Sequence, residues 1–150
     1  MKAFYAGSFD PFTIGHLYIA RQALKMFGNL IIGIGFNESK KSESKLAEKI
    51  EHIRRMTQDL EGVTILGYEG LTAEAARFHG ASVLVRGVRN SLDFVKEKEL
   101  ADINLTQFNI PTVMIPAPPA LTFVSSSMVR ELNHFGYDTS QYVTPIKFDD

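Results

Sequence analysis

Short apolar runs alternate along the chain with longer segments whose apolar residues recur at helical spacing. The short runs cover residues 2–6, 29–36, 63–67, 82–86 and 111–115. Each has the length of a β-strand, and the run 29–36 is apolar almost throughout, which is typical of a strand covered on both faces. The pattern therefore predicts about five strands, at least one of them central in a sheet.

The segments between these runs have the spacing of amphipathic helices. Two helices are predicted from faces formed by Leu17, Ala20, Leu24 and Phe27 and, after a polar loop at 37–45, by Leu46, Ile50, Ile53 and Leu60. Further helices are predicted at 71–79, 90–109 and 127–135, whereas the residues after Tyr137 show no clear pattern. Strands that alternate with helices predict a single α/β domain, 1–150, in which helices flank a parallel, Rossmann-like sheet.

Composition narrows the class of protein. The chain has 150 residues, enough for one domain, and a formal net charge of −1, so no overall basic field attracts nucleic acid or an anionic membrane. It contains no cysteine, which excludes disulfides and thiolate metal sites. No apolar run approaches the roughly 20 residues of a membrane helix. We expect a cytoplasmic protein with neither nucleic acid nor membrane as a partner.

The first candidate site is the loop at 7–16, Gly-Ser-Phe-Asp-Pro-Phe-Thr-Ile-Gly-His, between the first strand and the first helix. Ligands of parallel sheets bind beyond the carboxyl ends of the strands, where this loop is predicted to lie. Ser8 and His16 supply a hydroxyl and an imidazole, and the helix N-terminus supplies N–H groups for a phosphate. The alternative is a turn set by Asp10 and Pro11 and a histidine satisfied by its own backbone.

A lysine pair, Lys40 and Lys41, follows the second strand in a polar loop. Such pairs are usually a solvated surface. At the carboxyl end of a central strand, however, an ammonium can neutralise the phosphate of a substrate.

Two arginines, Arg86 and Arg89, stand on either side of Gly87 at the end of the fourth predicted strand. Guanidinium groups are costly to bury there without an anionic partner. A ligand phosphate is one possible partner. The alternative is pairing with the nearby carboxylates of Asp93, Glu97 or Glu99.

Three consecutive serines, residues 125–127, precede the last predicted helix. One serine would be an ordinary helix N-cap. Three exceed what capping requires, and hydroxyl and N–H groups at a helix N-terminus suit the phosphates of a nucleotide.

Together these segments resemble a known family. The loop 7–16 is similar to the hydroxyl and Gly-His signature of the nucleotidyltransferase superfamily, and the segment 124–130, Val-Ser-Ser-Ser-Met-Val-Arg, is similar to its serine element. The segment 86–94, Arg-Gly-Val-Arg-Asn-Ser-Leu-Asp-Phe, resembles more narrowly a signature of phosphopantetheine adenylyltransferases. The matches run from residue 3 to about residue 131, and the resemblance implies the nucleotidyltransferase fold.

The resemblance implies transfer of the adenylyl group of ATP to 4′-phosphopantetheine, giving dephospho-coenzyme A and pyrophosphate by direct in-line attack. It implies catalytic roles for His16, Lys40 and Arg89. It implies ATP contacts by Ser8, Phe9, His16, Gly87, Val88, Arg89, Glu97, Leu121, Thr122, Phe123, Val124, Ser125, Ser126 and Ser127. It implies acceptor contacts by Ser8, Lys40, Leu71, Thr72, Arg86, Leu100 and Asn104.

The resemblance also implies partners. Mg²⁺ is expected to arrive with ATP, with no metal ligand predicted in the chain. Dephospho-coenzyme A or coenzyme A is expected as product or inhibitor, and relatives assemble as homohexamers.

Two other functions fit parts of the pattern. One is the same chemistry on another acceptor, such as nicotinate mononucleotide, or cytidylyl transfer to a polyol or choline phosphate. The other is a non-catalytic nucleotide or coenzyme A sensor on the same fold, since a fold does not fix a function. A sensor would have no need of both His16 and the arginine pair, and this chain has them.

Overall fold

The computed structural model describes residues 1–36 and 40–148, without the side chains of residues 40–44. In this described part, five parallel strands form one sheet: β1 (Lys2–Gly7), β2 (Asn29–Gly35), β3 (Val63–Tyr68), β4 (Val83–Val88) and β5 (Thr112–Pro116). Their order across the sheet is β3-β2-β1-β4-β5. The predicted α/β fold with a five-stranded parallel sheet is confirmed.

Five α-helices of the described part connect and cover these strands: α1 (Ile14–Phe27), α2 (Lys40–Met56), α3 (Thr72–Phe78), α4 (Ser91–Phe108) and α5 (Ser126–His134). Side-chain caps fix three of their starts, from Thr13, Asn90 and Ser125. In the described residues, no helix is both long and apolar enough to cross a membrane.

Successive residues of β1 point to opposite faces of the sheet and build two apolar layers. Ala3 and Tyr5 pack with α1 and α2, in a cluster that also contains Ile32 and Val85. Phe4 and Ala6 pack on the other face, in a cluster with Ala73 and Ala76 of α3. Because both faces of β1 are buried, this strand is fixed at the centre of the molecule, and the loop that follows it begins from a fixed position.

Several predicted boundaries differ from the structure. α2 begins at Lys40, inside the predicted polar loop, and ends at Met56, so Leu60 lies beyond the helix although its side chain packs on the core. The helix is stopped by a turn in which Leu60 N–H donates to the Thr57 carbonyl. β4 extends beyond the end of the predicted run 82–86, because the strand goes on pairing with β5 as far as Val88.

The order of the strands fixes where a ligand can enter. The chain runs from β1 outward to β2 and β3, then returns to place β4 on the other side of β1. The connections that follow β1 and β4 therefore run towards opposite edges of the sheet. The carboxyl ends of these two strands form a topological switch point, which is where open α/β sheets bind their ligands.

Candidate active site

A cavity of about 190 Å³ opens at this switch point. Its walls come from the end of β1, the loop before α1, the end of β4 and the segment that leads into α5. Of the residues predicted to contact a nucleotide, the structure brings nine together here: Ser8, Phe9, His16, Gly87, Val88, Arg89, Leu121, Val124 and Ser126.

His16 lies in the first turn of α1, where the backbone holds its ring. The Thr13 N–H donates to His16 Nδ1 at 2.9 Å, while the Thr13 hydroxyl accepts from the His16 N–H at 3.4 Å. Because Nδ1 accepts a bond, the neutral ring carries its proton on Nε2. The Nδ1 atom of His16 is thus bonded to the neighbouring backbone, as the alternative interpretation of this loop proposed. The ring also lines the cavity and keeps one N–H donor, on Nε2.

This arrangement corrects one expectation about the helix N-terminus. The N–H groups of Thr13, Gly15 and His16 are already bonded, because the Thr13 hydroxyl and the His16 imidazole cap them. The prediction that free donors at this helix end serve a phosphate is wrong for these three groups. The dipole of α1 still favours an anion at this end.

Aromatic rings surround the imidazole. The ring centroids of Phe9 and Phe12 lie 5.1 and 5.3 Å from that of His16, and Tyr5 lies at 6.4 Å. This burial, together with the charges of Arg86 and Arg89, lowers the pKa of His16 from 6.5 to about 3. At physiological pH the ring is therefore neutral, and it can donate a hydrogen bond but brings no charge.

Gly87 allows helix α1 to pack closely against β4. A Cβ atom at this position would lie 2.9 Å from Ile19 Cγ1, nearer than side-chain atoms approach one another. Ile19 is buried, so it has little room to move away. The absence of a side chain at Gly87 therefore allows α1 to lie close to β4 beneath the cavity.

Arg86 stands between this cavity and a second one. Its Nε and Nη2 donate to the two carboxylate oxygens of Glu97, each at 2.8 Å, and its Nη1 donates to the Ala6 carbonyl. Burial alone would lower the pKa of Arg86, but the bonds to Glu97 outweigh it and raise the pKa. The guanidinium is therefore charged and fixed at the end of β1.

The second cavity has a volume of about 260 Å³ and lies on the α3 and α4 side of Arg86. Its lining includes five residues that the sequence analysis assigned to the acceptor: Leu71, Thr72, Arg86, Leu100 and Asn104. These come from three separate segments of the chain, and the structure brings them together. Arg86 and Ala6 line both cavities, so the two spaces meet at the end of β1.

Arg89 pairs with Asp93 one turn into α4. The Arg89 Nε and backbone N–H both donate to Asp93 Oδ2 at 3.0 Å. Although its partial burial would raise the pKa of Asp93, the bonds from Arg89 lower it overall. Both arginines thus have a carboxylate partner, as the alternative for this segment proposed, and both still line the first cavity.

Comparison with known proteins identifies the family. Residues 4–132 match the family model described as cytidylyltransferase-like. The chain is 41% identical, over 94% of its length and 92% of the relative's, to the phosphopantetheine adenylyltransferase of Porphyromonas gingivalis. It is 39% identical, over 95% and 94%, to the phosphopantetheine adenylyltransferase of Bacteroides thetaiotaomicron. The chain belongs to the phosphopantetheine adenylyltransferase family.

A solved structure supports the fold of this family member. A bifunctional NMN adenylyltransferase/ADP ribose pyrophosphatase from Francisella tularensis superposes with a TM-score of 0.69 at 18% identity. The match covers 95% of this chain and 44% of that protein, so the chain spans less than half of it. At this identity the likeness concerns the fold alone.

The three serines of this adenylyltransferase family member have three different hydrogen bonds. Ser125 Oγ caps α5 by accepting from the Met128 N–H at 3.1 Å. Ser126 Oγ donates to the Pro11 carbonyl at 2.7 Å, and Ser127 Oγ accepts from Arg130 at 3.2 Å. Ser126 lines the cavity. Contacts of Ser125 and Ser127 with a nucleotide stay predictions.

Four predicted residues lie elsewhere or outside the described part. Glu97, assigned to ATP by the resemblance, lines the second cavity in its pair with Arg86. The Thr122 hydroxyl donates to the Pro119 carbonyl, and the exposed ring of Phe123 makes an edge-to-face contact with Tyr142. The side chain of Lys40 is outside the described residues, although its backbone begins α2.

Sequence reasoning missed several cavity residues of this family member. Tyr5 and Ile19 line the first cavity, and Ile103, Phe108 and Thr112 line the second. Tyr5 lies within a β-strand and Ile19 within a helical face, so each looks like an ordinary core residue in the sequence. Only the position of Tyr5 at the carboxyl end of a strand could have suggested its place.

Proposed function

We propose that this chain is a pantetheine-phosphate adenylyltransferase: it transfers the adenylyl group of ATP to 4′-phosphopantetheine and releases dephospho-coenzyme A and pyrophosphate. The family places it among such enzymes of coenzyme A biosynthesis. The observation that carries the proposal is the meeting of two cavities at Arg86. One has the residues assigned to a nucleotide and the other has those assigned to the acceptor.

The acceptor occupies the second cavity in this proposal. Apolar side chains of Leu71, Leu100 and Phe108 suit the extended arm of phosphopantetheine, and Asn104 and Thr72 offer polar partners for its amides. Its phosphate reaches the end of β1, where the fixed guanidinium of Arg86 holds it by charge-assisted bonds. Lys40 is assigned to the same phosphate.

Adenylyl transfer then needs no covalent enzyme intermediate. An oxygen of the acceptor phosphate, already ionised at neutral pH, attacks the α-phosphorus of ATP. A new P–O bond forms as the bond to the β-phosphate breaks, and pyrophosphate leaves with that electron pair. The chain contributes positioning and charge stabilisation, as in other phosphoryl-group transfers.

His16 stabilises the α-phosphate in this step. Its Nδ1 is occupied by the Thr13 N–H, so the Nε2–H is the group that can donate to an α-phosphate oxygen as charge develops. Because the ring is neutral, it holds this proton throughout and serves neither as acid nor as base. Arg89, on the same wall of the cavity, adds positive charge for the triphosphate.

We propose that Mg²⁺ enters with the triphosphate. Among the described residues, no group of three or more His, Asp or Glu side chains could hold a metal ion. If bound, this ion would be held by oxygens of the triphosphate and by water rather than by side chains of the described residues. When bound, Mg²⁺ reduces the negative charge that pyrophosphate carries away.

The proposal extends to assembly and location. We infer a homohexamer of the cytoplasm, in which dephospho-coenzyme A or coenzyme A binds as product or inhibitor. Large apolar side chains on α4 support assembly, since Leu92 and Val95 are 75% and 64% exposed. Exposed apolar patches of this kind mark protein interfaces.

The proposed function is tested by asking which phosphorylated acceptor the protein uses. Purified protein is offered ATP or CTP with 4′-phosphopantetheine, nicotinate mononucleotide, nicotinamide mononucleotide or choline phosphate, and pyrophosphate release is measured. We expect release with ATP and 4′-phosphopantetheine together, and dephospho-coenzyme A as the second product. Release with another acceptor would replace the proposed substrate, and tight ATP binding without any turnover would favour the sensor.

A further inference from the structure

One peptide group connects a histidine of α2 to His16. His52 Nε2 lies 2.8 Å from the Phe12 carbonyl oxygen, so this nitrogen carries the proton and donates. The N–H of the same peptide belongs to Thr13 and donates to His16 Nδ1 at 2.9 Å. Two imidazoles 36 positions apart in the sequence are thus joined through a single amide.

This connection has an electronic and a geometric consequence. A donor on the oxygen of an amide polarises the group and makes its N–H a better donor, because hydrogen bonds in a chain strengthen one another. The orientation of the peptide also decides where its N–H points. If the carbonyl of Phe12 turned, the Thr13 N–H would turn away from Nδ1, and the ring would lose the bond that fixes its tautomer.

We propose that His52 is a positioning residue for His16, which holds the peptide between Phe12 and Thr13 so that the His16 ring keeps its proton on Nε2, at the cavity. The inference rests on the proposed function, in which that Nε2–H serves the α-phosphate. His52 itself acts from the other side of the loop, through the backbone.

The surrounding loop is held by independent contacts, which isolates the effect of His52. Lys49 Nζ donates to the Ser8 carbonyl at 2.9 Å, Arg130 Nη1 to the Asp10 carbonyl at 2.6 Å and Ser126 Oγ to the Pro11 carbonyl at 2.7 Å. These donors come from α2 and α5, on either side of the loop. None of these three carbonyls belongs to the peptide that contacts His16.

The experiment compares His52→Gln with His52→Asn. The two amides differ by one methylene, and only glutamine can place its NH₂ group near the position of the imidazole Nε2. We expect kcat to fall by about tenfold in His52→Asn, the size of one net hydrogen bond, and to return to within about threefold in His52→Gln. The KM for ATP should change by less than about threefold in both.

Nuclear magnetic resonance gives a readout that does not depend on turnover. The chain has 4 histidines, so the imidazole nitrogens can be resolved in ¹⁵N-labelled protein and assigned with His16→Gln. We expect a single neutral tautomer for His16, with the proton on Nε2, in the wild type and His52→Gln. In His52→Asn the Nδ1 signal should move towards that of a mixture of tautomers.

Lys49→Met is the matched control, because it removes another donor of α2 from the same loop without touching the peptide of Phe12. Its His16 signals should equal those of the wild type. Unchanged His16 signals in His52→Asn, or an equal displacement in Lys49→Met, would overturn the inference. Should no acceptor be adenylylated, the proposed function fails, and the nitrogen signals still decide whether His52 orients His16.

Discussion

Arg86 and Glu97 form a two-pronged ion pair at the wall between the two cavities, with both nitrogen-to-oxygen distances at 2.8 Å. Glu97 is buried, whereas the Arg86 side chain is 35% exposed. The carboxylate therefore depends on the guanidinium for its charge compensation. The guanidinium, in contrast, has a free approach for a second anion, which in the proposed reaction is the acceptor phosphate.

This difference separates the structural role of Arg86 from its role in binding. Arg86→Met leaves the Glu97 carboxylate buried without its partner, and we expect a loss of about 2 kcal/mol in the free energy of unfolding, after allowance for partial exposure. The double variant Arg86→Met with Glu97→Gln should recover most of that stability. Chemical denaturation of the three proteins measures both values.

Activity should respond differently from stability in the same variants. The KM for 4′-phosphopantetheine should rise in Arg86→Met and stay high in the double variant, because the phosphate has lost its guanidinium in both. If the double variant regained wild-type KM together with its stability, Arg86 would serve only to neutralise Glu97.

His16→Ala should reduce turnover by roughly 10² to 10³, the effect of removing one donor to a developing oxyanion. His16→Gln should lose less, since its amide can donate from about the position of Nε2. Both variants must first be shown to be folded by their circular dichroism, because the ring packs against Phe9 and Phe12. Near-normal turnover in folded His16→Ala would remove the histidine from the mechanism.

The low pKa of His16 also predicts a pH dependence of stability. The folded state holds this ring neutral down to about pH 3, whereas the unfolded chain takes up a proton near pH 6.5. Between these values the unfolded state binds more protons, so the contribution of His16 is fully present above pH 6.5 and is lost as the pH falls. The limiting slope for one proton is about 1.4 kcal/mol per pH unit.

This pH dependence is measured by comparing the wild type with His16→Gln, whose side chain cannot titrate. Free energies of unfolding measured at pH 7, 6 and 5 should show the wild type losing stability relative to this variant as the pH is lowered. A constant difference across that range would mean that His16 has an ordinary pKa in the folded protein.

The fold could be predicted from the sequence because most of the patterns that specify its strands and helices are local in the chain. Runs such as 29–36 are apolar on both faces, and Asn90 and Asn109, the predicted limits of the fourth helix, cap α4 at its two ends. The errors occurred where a tertiary contact decides the boundary. The predicted run ends at Arg86 because a charged residue followed by glycine is typical of the start of a loop, yet pairing with β5 continues to Val88.

Part of the lining of the two cavities could be predicted from the sequence, but the contacts between these residues could not. Ser8, His16 and Arg86 follow from motifs at strand ends, and the structure places them in or beside one cavity. Spacing cannot show that Arg86 takes Glu97 as its partner, or that His52 contacts the loop from 40 residues away. Such contacts depend on which helix crosses behind the loop, and local sequence carries no signal of it.

Substitution of Gly87 tests how closely α1 must pack against β4 beneath the first cavity. Gly87→Ala places a Cβ atom about 2.9 Å from Ile19 Cγ1, so we expect a loss of about 1–3 kcal/mol in the free energy of unfolding, typical of overpacking. Ile19→Ala removes the opposing atoms at the cost of a cavity. The double variant should be more stable than the sum of the two single effects, and strict additivity would show that the contact is relieved without strain.

If the chain forms the proposed homohexamer, the exposed apolar residues of α4 predict where its subunits meet. Leu92 and Val95 lie one turn apart, 75% and 64% exposed, and a charge placed on them would have to be buried in any interface that covers this surface. We expect the wild type to run as the proposed oligomer and Val95→Glu as a smaller species, both measured by light scattering coupled to size-exclusion chromatography. Met26→Glu is the matched control, a similar change at a half-exposed apolar residue of α1. Dissociation by Met26→Glu alone would move the interface from α4 to the end of α1.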